Sequence, residues 1–208
     1  MSEAVETVFI IDDDASVRKS LSRLLRSHGF AVEPFGSGEQ FLEREPFQGV
    51  GCIVLDLRMP GLGGMDLQDK LGKTGCGMPI VFISGYGDVP TSVQAMRKGA
   101  VHFLPKPFDD EELLQAVKEA IEVDRKTQDK RTEREDIHRR LNLLTLRERE
   151  ILGYVITGML NKQIASRLDI SEKTVKVHRG RVMEKLCVDS VADLVRLTEK
   201  AGIEPSKE

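Results

Sequence analysis

The stretch TVFIIDDD, residues 7–14, decides how the first part of the chain folds. Its first five residues, Thr7–Ile11, are all apolar or β-branched, so a strand formed there would have two apolar faces. Three aspartates follow directly. Such a run is typical of a strand buried inside a parallel sheet. Three later runs share this character and a weaker one follows Gly29; they are Cys52–Leu55, Ile80–Ser84, Val101–Leu104 and Ala31–Phe35. Since helical patterns separate these runs, we predict an α/β domain with five parallel strands.

Glycine and capping residues set the limits of the predicted helices. The first helix spans about Ala15–His28, and Gly29 ends it by taking the left-handed conformation. Later helices begin near four positions, two of which are aspartates, which are natural N-caps. These starting positions are Ser37, Gly64, Asp88 and Asp109.

Composition and charge exclude several classes of protein. The chain has 208 residues, 40% hydrophobic and 31% charged, which is ordinary for globular proteins. Its net charge of −3 hides an asymmetry, because residues 1–121 hold 12 basic and 18 acidic side chains. No apolar run approaches the roughly 18 residues that span a bilayer, and the acidic N-terminus lacks the basic start of a secretory signal. Three widely spaced cysteines form neither a disulfide framework nor a metal motif. We therefore expect a cytoplasmic protein with no membrane partner.

The apolar pattern divides the chain into three parts. We assign residues 1–121 to the α/β domain, 122–140 to a charged helical linker, and 141–208 to an all-α domain of four helices. The linker holds only Val123 and Ile137 as large apolar side chains, so a helix continuing there would be an exposed rod. In the last part, Thr145 and Glu148 form a capping box. About sixty residues in four helices have room for a binding surface and little more.

The ends of the predicted strands carry the side chains that point to chemistry. Asp12 and Asp13 follow the first strand, Asp56 and Ser84 end the third and fourth, and Lys106 follows the fifth. Ligands of parallel sheets bind beyond the carboxyl ends of the strands, so these groups should converge. Clustered carboxylates repel each other, and Mg²⁺ relieves the repulsion because it prefers a few carboxylates with water and phosphate oxygens. The sequence therefore predicts a magnesium site.

The same cluster suits transfer of a phosphoryl group. Asp56 would act as the nucleophile, Lys106 and the metal would neutralise charge on the phosphoryl oxygens, and Ser84 would donate a hydrogen bond to one of them. We expect a cis peptide bond at the Lys106–Pro107 turn. A single aspartate at a strand end usually only caps the next helix, which is the role we expect for Asp14. Five matched positions on four strands favour a phosphoacceptor site.

The last part of the chain carries a basic segment. Residues 161–185 hold 7 basic and 3 acidic side chains, a local charge of +4, although a charge run is often only a solvated face. A tight turn at Asp169-Ile170 separates two short helices, as in a helix-turn-helix whose second helix enters the major groove. The predicted seam is Ile164, Ala165, Leu168, Ile170, Val175, Val182 and Leu186. The predicted outer face is Lys173, Thr174, Lys176, Val177, Gly180 and Arg181, types that contact bases and phosphates.

Residues 7–121 resemble a response-regulator receiver domain. The matching motifs are Asp12-Asp13, Asp56 with the following LRMPG, Ser84-Gly85 and Lys106-Pro107-Phe108. The resemblance implies a flavodoxin-like, doubly wound sheet of order 2-1-3-4-5 and phosphorylation of Asp56 by a sensor histidine kinase. It also implies that Mg²⁺ is held by Asp13, Asp56, the backbone carbonyl of Arg58 and, through water, Asp12. Phe103 matches the family's aromatic switch position, and Arg58 and Tyr86 match positions that tune the lifetime of the acyl phosphate.

The C-terminal part resembles the LuxR-type DNA-binding domain. The matching motifs are TLREREIL at 145–152, Gly158, NKQIA at 161–165 and TVKVHR at 174–179. With the receiver, the chain resembles transcription regulators of the FixJ/NarL type. This implies binding to double-stranded promoter DNA, a homodimer on phosphorylation, and activation of transcription with RNA polymerase as a partner. Lys176 and Val177 match positions that face bases; Lys162, His178, Arg179 and Arg181 complete the candidate DNA surface, although His178 suits a packed position equally.

The sequence allows two alternative functions. An enzyme on the same scaffold, such as a phosphatase or a nucleotide-binding protein, is disfavoured because no GxGxxG or Walker motif follows the first strand. A phosphatase with an aspartate nucleophile would also want an acid two residues on, where Arg58 stands. The α/β domain could also dimerise independently of phosphorylation, but the complete set of Asp, Ser and Lys argues against that. We interpret the chain as a phosphorylation-dependent transcription regulator and not as an enzyme.

Overall fold

The computed structural model describes residues 5–85 and 89–203. Tyr86 and the helix start predicted at Asp88 lie outside the described residues. The chain divides into two compact units, with the boundary between Gln128 and Asp129. Within the described ranges, no helix combines the length and apolarity needed to cross a bilayer.

The N-terminal unit alternates strands and helices, as predicted. Its elements are β1 (Thr7–Ile11), α1 (Ala15–Ser27), β2 (Ala31–Phe35), α2 (Gly38–Glu43), β3 (Gly51–Asp56), α3 (Gly64–Thr74), β4 (Ile80–Ser84), α4 (Val89–Arg97), β5 (His102–Pro105) and the start of α5 (Asp110–Asn142). All strand pairs are parallel, and the order is β2-β1-β3-β4-β5. The predicted flavodoxin-like fold and strand order are confirmed.

Both faces of the sheet are buried, which explains why the strands are apolar throughout. On β1, Val8 and Ile10 belong to one core cluster with α1 and α5, while Phe9 and Ile11 belong to a second cluster with α2 and α3. All four side chains are fully buried. Alternate residues of one strand therefore serve opposite layers, as a doubly wound sheet requires.

Gly64 lets α3 begin directly beneath the end of β3. A Cβ atom at Gly64 would lie 2.5 Å from the carbonyl oxygen of Asp56 and 3.0 Å from the Cα of Leu57. These are backbone atoms that cannot rotate away, so the neighbouring chain would have to shift. The close approach fixes the backbone from which the Asp56 side chain projects.

We expect Gly64→Ala to destabilise the N-terminal unit by about 1–3 kcal/mol, the usual cost of overpacking. Gly72→Ala, in the same helix, is the matched control, because nothing lies within 4 Å of its added Cβ. That change should be neutral or stabilise the unit by about 0.5–1 kcal/mol, through better helix propensity. Urea unfolding monitored by circular dichroism measures both, and equal stability of the two variants would refute the close-approach argument.

The segment predicted as a linker, residues 122–140, contains the boundary between the two units. Near its start, the Asp124 side chain is only 5% exposed and accepts hydrogen bonds from Gly51 N at 2.9 Å and Gln128 Nε2 at 2.8 Å. Burial raises the pKa of Asp124, although these two hydrogen bonds oppose the rise. Near its other end, Ile137 is buried in the core of the C-terminal unit. The predicted continuation of the helix is present, since α5 runs through the whole segment.

The C-terminal unit is entirely helical. After the end of α5 it contains α6 (Leu146–Val155), α7 (Asn161–Leu168), α8 (Glu172–Leu186) and α9 (Val191–Ala201). Serine side chains cap two of these helices: Ser171 Oγ accepts from Thr174 N and Ser190 Oγ from Asp193 N, both at 3.1 Å. The predicted capping box of Thr145 and Glu148 is also present. A single apolar cluster joins the elements, with Ile151, Val175 and Leu194 fully buried.

Glu148 links the start of α6 to the end of α8. Its carboxylate is almost fully buried and accepts hydrogen bonds from Lys185 Nζ at 2.6 Å and from Thr145 N at 2.9 Å. Together these bonds lower the pKa of Glu148 to about 2, with the Lys185 hydrogen bond contributing most. A carboxylate held in this way stabilises the folded state only while it is ionised.

The unfolding free energy of the C-terminal unit should therefore depend on pH through Glu148. The folded pKa lies below the unfolded value, so this stabilisation is complete above about pH 4.5 and is lost as the pH falls towards 2. We expect Glu148→Gln to cost about 2–3 kcal/mol at pH 7 and to flatten the acid dependence. Glu150→Gln is the control, because its ion pair with Arg147 is exposed and should matter by less than about 0.5 kcal/mol. Thermal unfolding from pH 7 to pH 3 measures both; identical profiles would contradict this role.

Candidate functional sites

Two buried carboxylates and one ammonium meet at the carboxyl edge of the sheet. Asp12 follows β1 and is 1% exposed, and Asp56 ends β3 and is 6% exposed. Lys106, directly after β5, places Nζ 2.8 Å from Asp12 Oδ2 and 2.7 Å from Asp56 Oδ1. The parallel register brings these three residues together, although 94 positions separate the first from the last. Of the five residues predicted to converge, these three do so in the structure.

The electrostatics of the cluster favour a reactive carboxylate. Burial raises the pKa of Asp56, while the Lys106 ammonium and a hydrogen bond from Arg58 N at 2.8 Å act in the opposite direction. Burial alone would lower the pKa of Lys106, but its hydrogen bonds to Asp12 and Asp56 outweigh that and raise it. Lys106 is therefore held as a cation beside a carboxylate that is more basic than usual. A more basic carboxylate is a better nucleophile towards phosphorus.

The other two aspartates after β1 have different surroundings. Asp14 caps α1, since its side chain accepts hydrogen bonds from Ser16 N at 2.7 Å and Ser16 Oγ at 2.6 Å, as predicted. Asp13 follows Asp12 in the chain and is exposed. Asp12 Oδ1 accepts from Asp14 N at 2.8 Å, which orients the Asp12 carboxylate at the start of the loop.

Three further predicted features lie on β4, on β5 and at the turn after β5. Ser84 ends β4 and is 1% exposed, and its carbonyl accepts a hydrogen bond from Lys106 N at 2.6 Å. The peptide bond between Lys106 and Pro107 is cis, as predicted. Phe103 lies on β5, half-buried, with its ring centroid 6.2 Å from that of Phe82.

Sequence reasoning missed the part played by Arg18. Its Nη1 donates to the backbone carbonyl of Asp12 at 2.6 Å, so a cation from α1 supports the backbone that carries the first buried carboxylate. The signal available in the sequence was position alone: Arg18 lies one helical turn after the N-cap Asp14, on the helix that starts at this edge.

The chemistry of the donor groups fits a magnesium ion. Mg²⁺ prefers carboxylate and carbonyl oxygens and keeps several of its waters. Asp12 and Asp56 supply two buried carboxylates against one ammonium, which leaves an excess of negative charge, and exposed Asp13 follows Asp12 in the chain. Among residues 5–85 and 89–203, no three acidic, histidine or cysteine side chains already form a ligand cluster. Two of the oxygen donors that the sequence predicted, the Asp12 and Asp56 carboxylates, lie at one edge with Lys106 bridging them.

The C-terminal unit contains the predicted helix-turn-helix. Helix α7 ends at Asp169, which takes the left-handed conformation with φ of 51°, and α8 begins after Ser171. The predicted seam residues are buried or partly buried in one cluster; they are Ile164, Ala165, Leu168, Ile170, Val175, Val182 and Leu186. The seam determines which side of α8 remains open to a ligand.

The predicted DNA-binding residues are not equally accessible. Five are exposed: Lys162, Lys173, Lys176, Val177 and Arg181. Three are half-buried: Thr174, His178 and Arg179. Thr174 Oγ1 shares a hydrogen bond of 2.7 Å with Ser171, and Arg179 Nη1 donates to Asn161 Oδ1 at 3.0 Å. His178 Nδ1 is buried and has no hydrogen-bond partner among the described residues.

An α/β unit with carboxylates and a lysine at one sheet edge, joined to a helix-turn-helix unit, defines the class of response regulators. Residues 8–118 match the family described as response regulator receiver domain. Residues 142–198 match the family of bacterial regulatory proteins named the luxR family. The chain belongs to the response regulators that carry a LuxR-type DNA-binding domain.

Individual relatives agree with this assignment. Nodulation protein W of Bradyrhizobium diazoefficiens is 44% identical over 196 residues, covering 94% of this chain and 86% of that protein. The transcriptional regulatory protein FixJ of Rhizobium meliloti is 43% identical over 200 residues, covering 96% and 98%. The solved structure of the response regulator StyR matches with a TM-score of 0.86 at 47% identity, covering 95% of this chain and all of that one. The predicted function as a phosphorylation-dependent transcription regulator is confirmed at the level of the family.

Proposed function

We propose that Asp56 accepts a phosphoryl group from a sensor histidine kinase and that this event controls binding of the C-terminal unit to promoter DNA. The observation that carries the proposal is the position of Lys106, whose ammonium contacts both Asp12 and Asp56 within 2.8 Å. Such a bridge holds a fixed positive charge where the oxygens of a phosphoryl group on Asp56 would be.

Several residues have separate roles in the transfer of the phosphoryl group to Asp56. An oxygen of the Asp56 carboxylate attacks phosphorus, and the bond from phosphorus to the donor breaks as the acyl phosphate forms. Lys106 neutralises charge on the phosphoryl oxygens, and Ser84 donates a hydrogen bond to one of them. Mg²⁺, when bound, supplies further charge neutralisation; Asp13, Asp56, the backbone carbonyl of Arg58 and, through water, Asp12 would hold it. Chemistry of this kind depends mainly on positioning and electrostatics.

The new charge on Asp56 must alter DNA binding by the separate C-terminal unit. Phosphorylation draws Ser84 towards the phosphoryl group, and the ring of Phe103 changes position with it. The receiver then pairs with a second copy through a face that includes β5 and its flanking helices. Pairing raises the affinity for a promoter with two half-sites, because the second half-site is bound intramolecularly. The homodimer activates transcription with RNA polymerase in the cytoplasm, where the DNA lies.

Incubation of the full chain with acetyl phosphate tests the proposal. With Mg²⁺ we expect an acid-stable, base-labile adduct and tighter binding to promoter DNA, and with excess EDTA we expect neither. Coupling of this kind is typically worth about 1–3 kcal/mol, or five- to 150-fold in affinity. Steady release of phosphate at an enzymatic rate would support a hydrolase instead, and equal adduct with and without the metal would contradict the magnesium site.

A further inference from the structure

A cavity of about 570 Å³ lies against α1 and the edge strand β2 of the N-terminal unit. Four of its lining side chains are cations, spaced along α1 so that they share one side of the helix; they are Arg18, Lys19, Arg23 and Arg26. Helix α1 contains no acidic residue, whereas residues 1–121 as a whole carry six more acidic than basic side chains. Positive charge is therefore concentrated at this cavity within an acidic domain, which attracts anions.

Two of the cations are held in place without being neutralised. Arg18 Nη1 donates to the carbonyl of Asp12 at 2.6 Å, and Arg26 Nη2 donates to the carbonyl of Val32 at 3.0 Å. A backbone carbonyl fixes a guanidinium but carries no net charge, and within residues 5–85 and 89–203 none of the four cations forms an ion pair. The cavity is thus preorganised for an anion, which lowers the entropic cost of binding.

Ser22 adds a hydroxyl between the two fixed arginines. It lies four residues from Arg18 and four from Arg26, one turn of helix in each direction. Ser22 lines the cavity and is only 6% exposed, yet its Oγ is buried without a hydrogen-bond partner in the described structure. Buried hydroxyls are normally hydrogen-bonded, so an acceptor atom brought in by a ligand would satisfy this one.

We propose that this cavity binds a small molecule carrying one or more phosphate groups. Its volume falls within the range of small-molecule sites, about 300–1,000 Å³. Arginine forms paired hydrogen bonds with phosphate oxygens, and lysine supplies a point charge. Ala15 and Pro34 contribute apolar surface that suits the rest of a compact phosphate ester. The concave shape and the buried hydroxyl favour a small molecule over an acidic polypeptide.

Titration of the full, unphosphorylated chain with inorganic pyrophosphate tests the site, in magnesium-free buffer at constant ionic strength. Amide chemical shifts distinguish α1 from the basic surface of α8, which also attracts polyanions. We expect saturable shifts at Ala15–Ser27. Arg23→Gln should weaken binding about fivefold, as expected for one exposed charge interaction. Ser22→Ala should weaken it about two- to threefold while leaving the thermal unfolding midpoint unchanged or higher, because the buried hydroxyl forms no hydrogen bond within the described protein.

Lys73→Gln is the matched control, since it removes the same charge from an exposed position on α3. Its binding curve should match that of the unmodified chain. The proposal is overturned if shifts appear only on α8, or if Lys73→Gln weakens the α1 shifts as much as Arg23→Gln does. It is also overturned if pyrophosphate leaves α1 unchanged while Arg23→Gln slows transfer from a histidine kinase, because the face would then serve to dock a protein.

Discussion

Asp56→Asn is expected to abolish phosphorylation of the chain while leaving its fold intact. The asparagine has the same shape and keeps an amide oxygen that can accept from Lys106 Nζ, now 2.7 Å from the carboxylate. It has no anionic oxygen to attack phosphorus, so no acyl phosphate forms. With acetyl phosphate and Mg²⁺, we expect no adduct by mass spectrometry and no gain in DNA affinity. The far-ultraviolet circular dichroism spectrum should not change.

Asp69→Asn is the control for this prediction. Asp69 also pairs with a lysine at 2.7 Å, but its side chain is 45% exposed and lies on α3 rather than at the end of a strand. Removing that carboxylate should leave adduct formation unchanged. If Asp56→Asn took up phosphate as fast as the unmodified chain, another residue would be the acceptor, and exposed Asp13 would be the first to examine.

The second large effect is expected on α8. Lys173, Lys176 and Arg181 are exposed on this helix, so they are free to bind DNA phosphates or base edges. Replacing all three by glutamine should reduce DNA affinity by a factor of about 10² or more. The slope of log affinity against log salt should fall by about 1 for each DNA phosphate that the variant no longer neutralises. A salt series of DNA-binding isotherms on the phosphorylated chain measures both quantities.

Single substitutions test the contribution of each residue to the salt dependence separately. Arg179→Gln should change the salt slope less than Lys176→Gln, because Arg179 is half-buried and donates to Asn161. Lys130→Gln, an exposed lysine on α5, is the matched control and should leave the slope unchanged. An unchanged slope in Lys173→Gln, Lys176→Gln and Arg181→Gln alike would remove the assignment of α8 as the DNA-contacting helix.

The strands could be predicted because their signal is local. A strand covered on both faces is apolar at every position, so β1 and β4 were found with their observed bounds, and β5 was displaced by one residue. Capping signals are local as well, which is why Asp14 and Thr145 were assigned correctly. The family resemblance then gave the strand order, which periodicity alone does not determine.

Other features depend on interactions between distant residues. The hydrogen bond between Asp124 and Gly51 joins positions 73 apart, and a lone aspartate in a charged helix carries no sign of burial. The convergence of Lys106 with two carboxylates could be predicted from the sequence. Its position bridging both of them could not. The partial burial of Arg179 could not be predicted from the sequence, because its hydrogen-bond partner, Asn161, lies on the preceding helix.

The proposed function requires that one carboxylate, Asp56, accepts the phosphoryl group. Reduction of the phosphorylated chain with borohydride converts an acyl phosphate to an alcohol and marks its position for peptide mass spectrometry. After treatment with acetyl phosphate and Mg²⁺, we expect the peptide containing Asp56 to carry the mark and peptides containing Asp12 or Asp13 to lack it. A mark at another aspartate, or none in a chain whose DNA affinity has nonetheless risen, would contradict it.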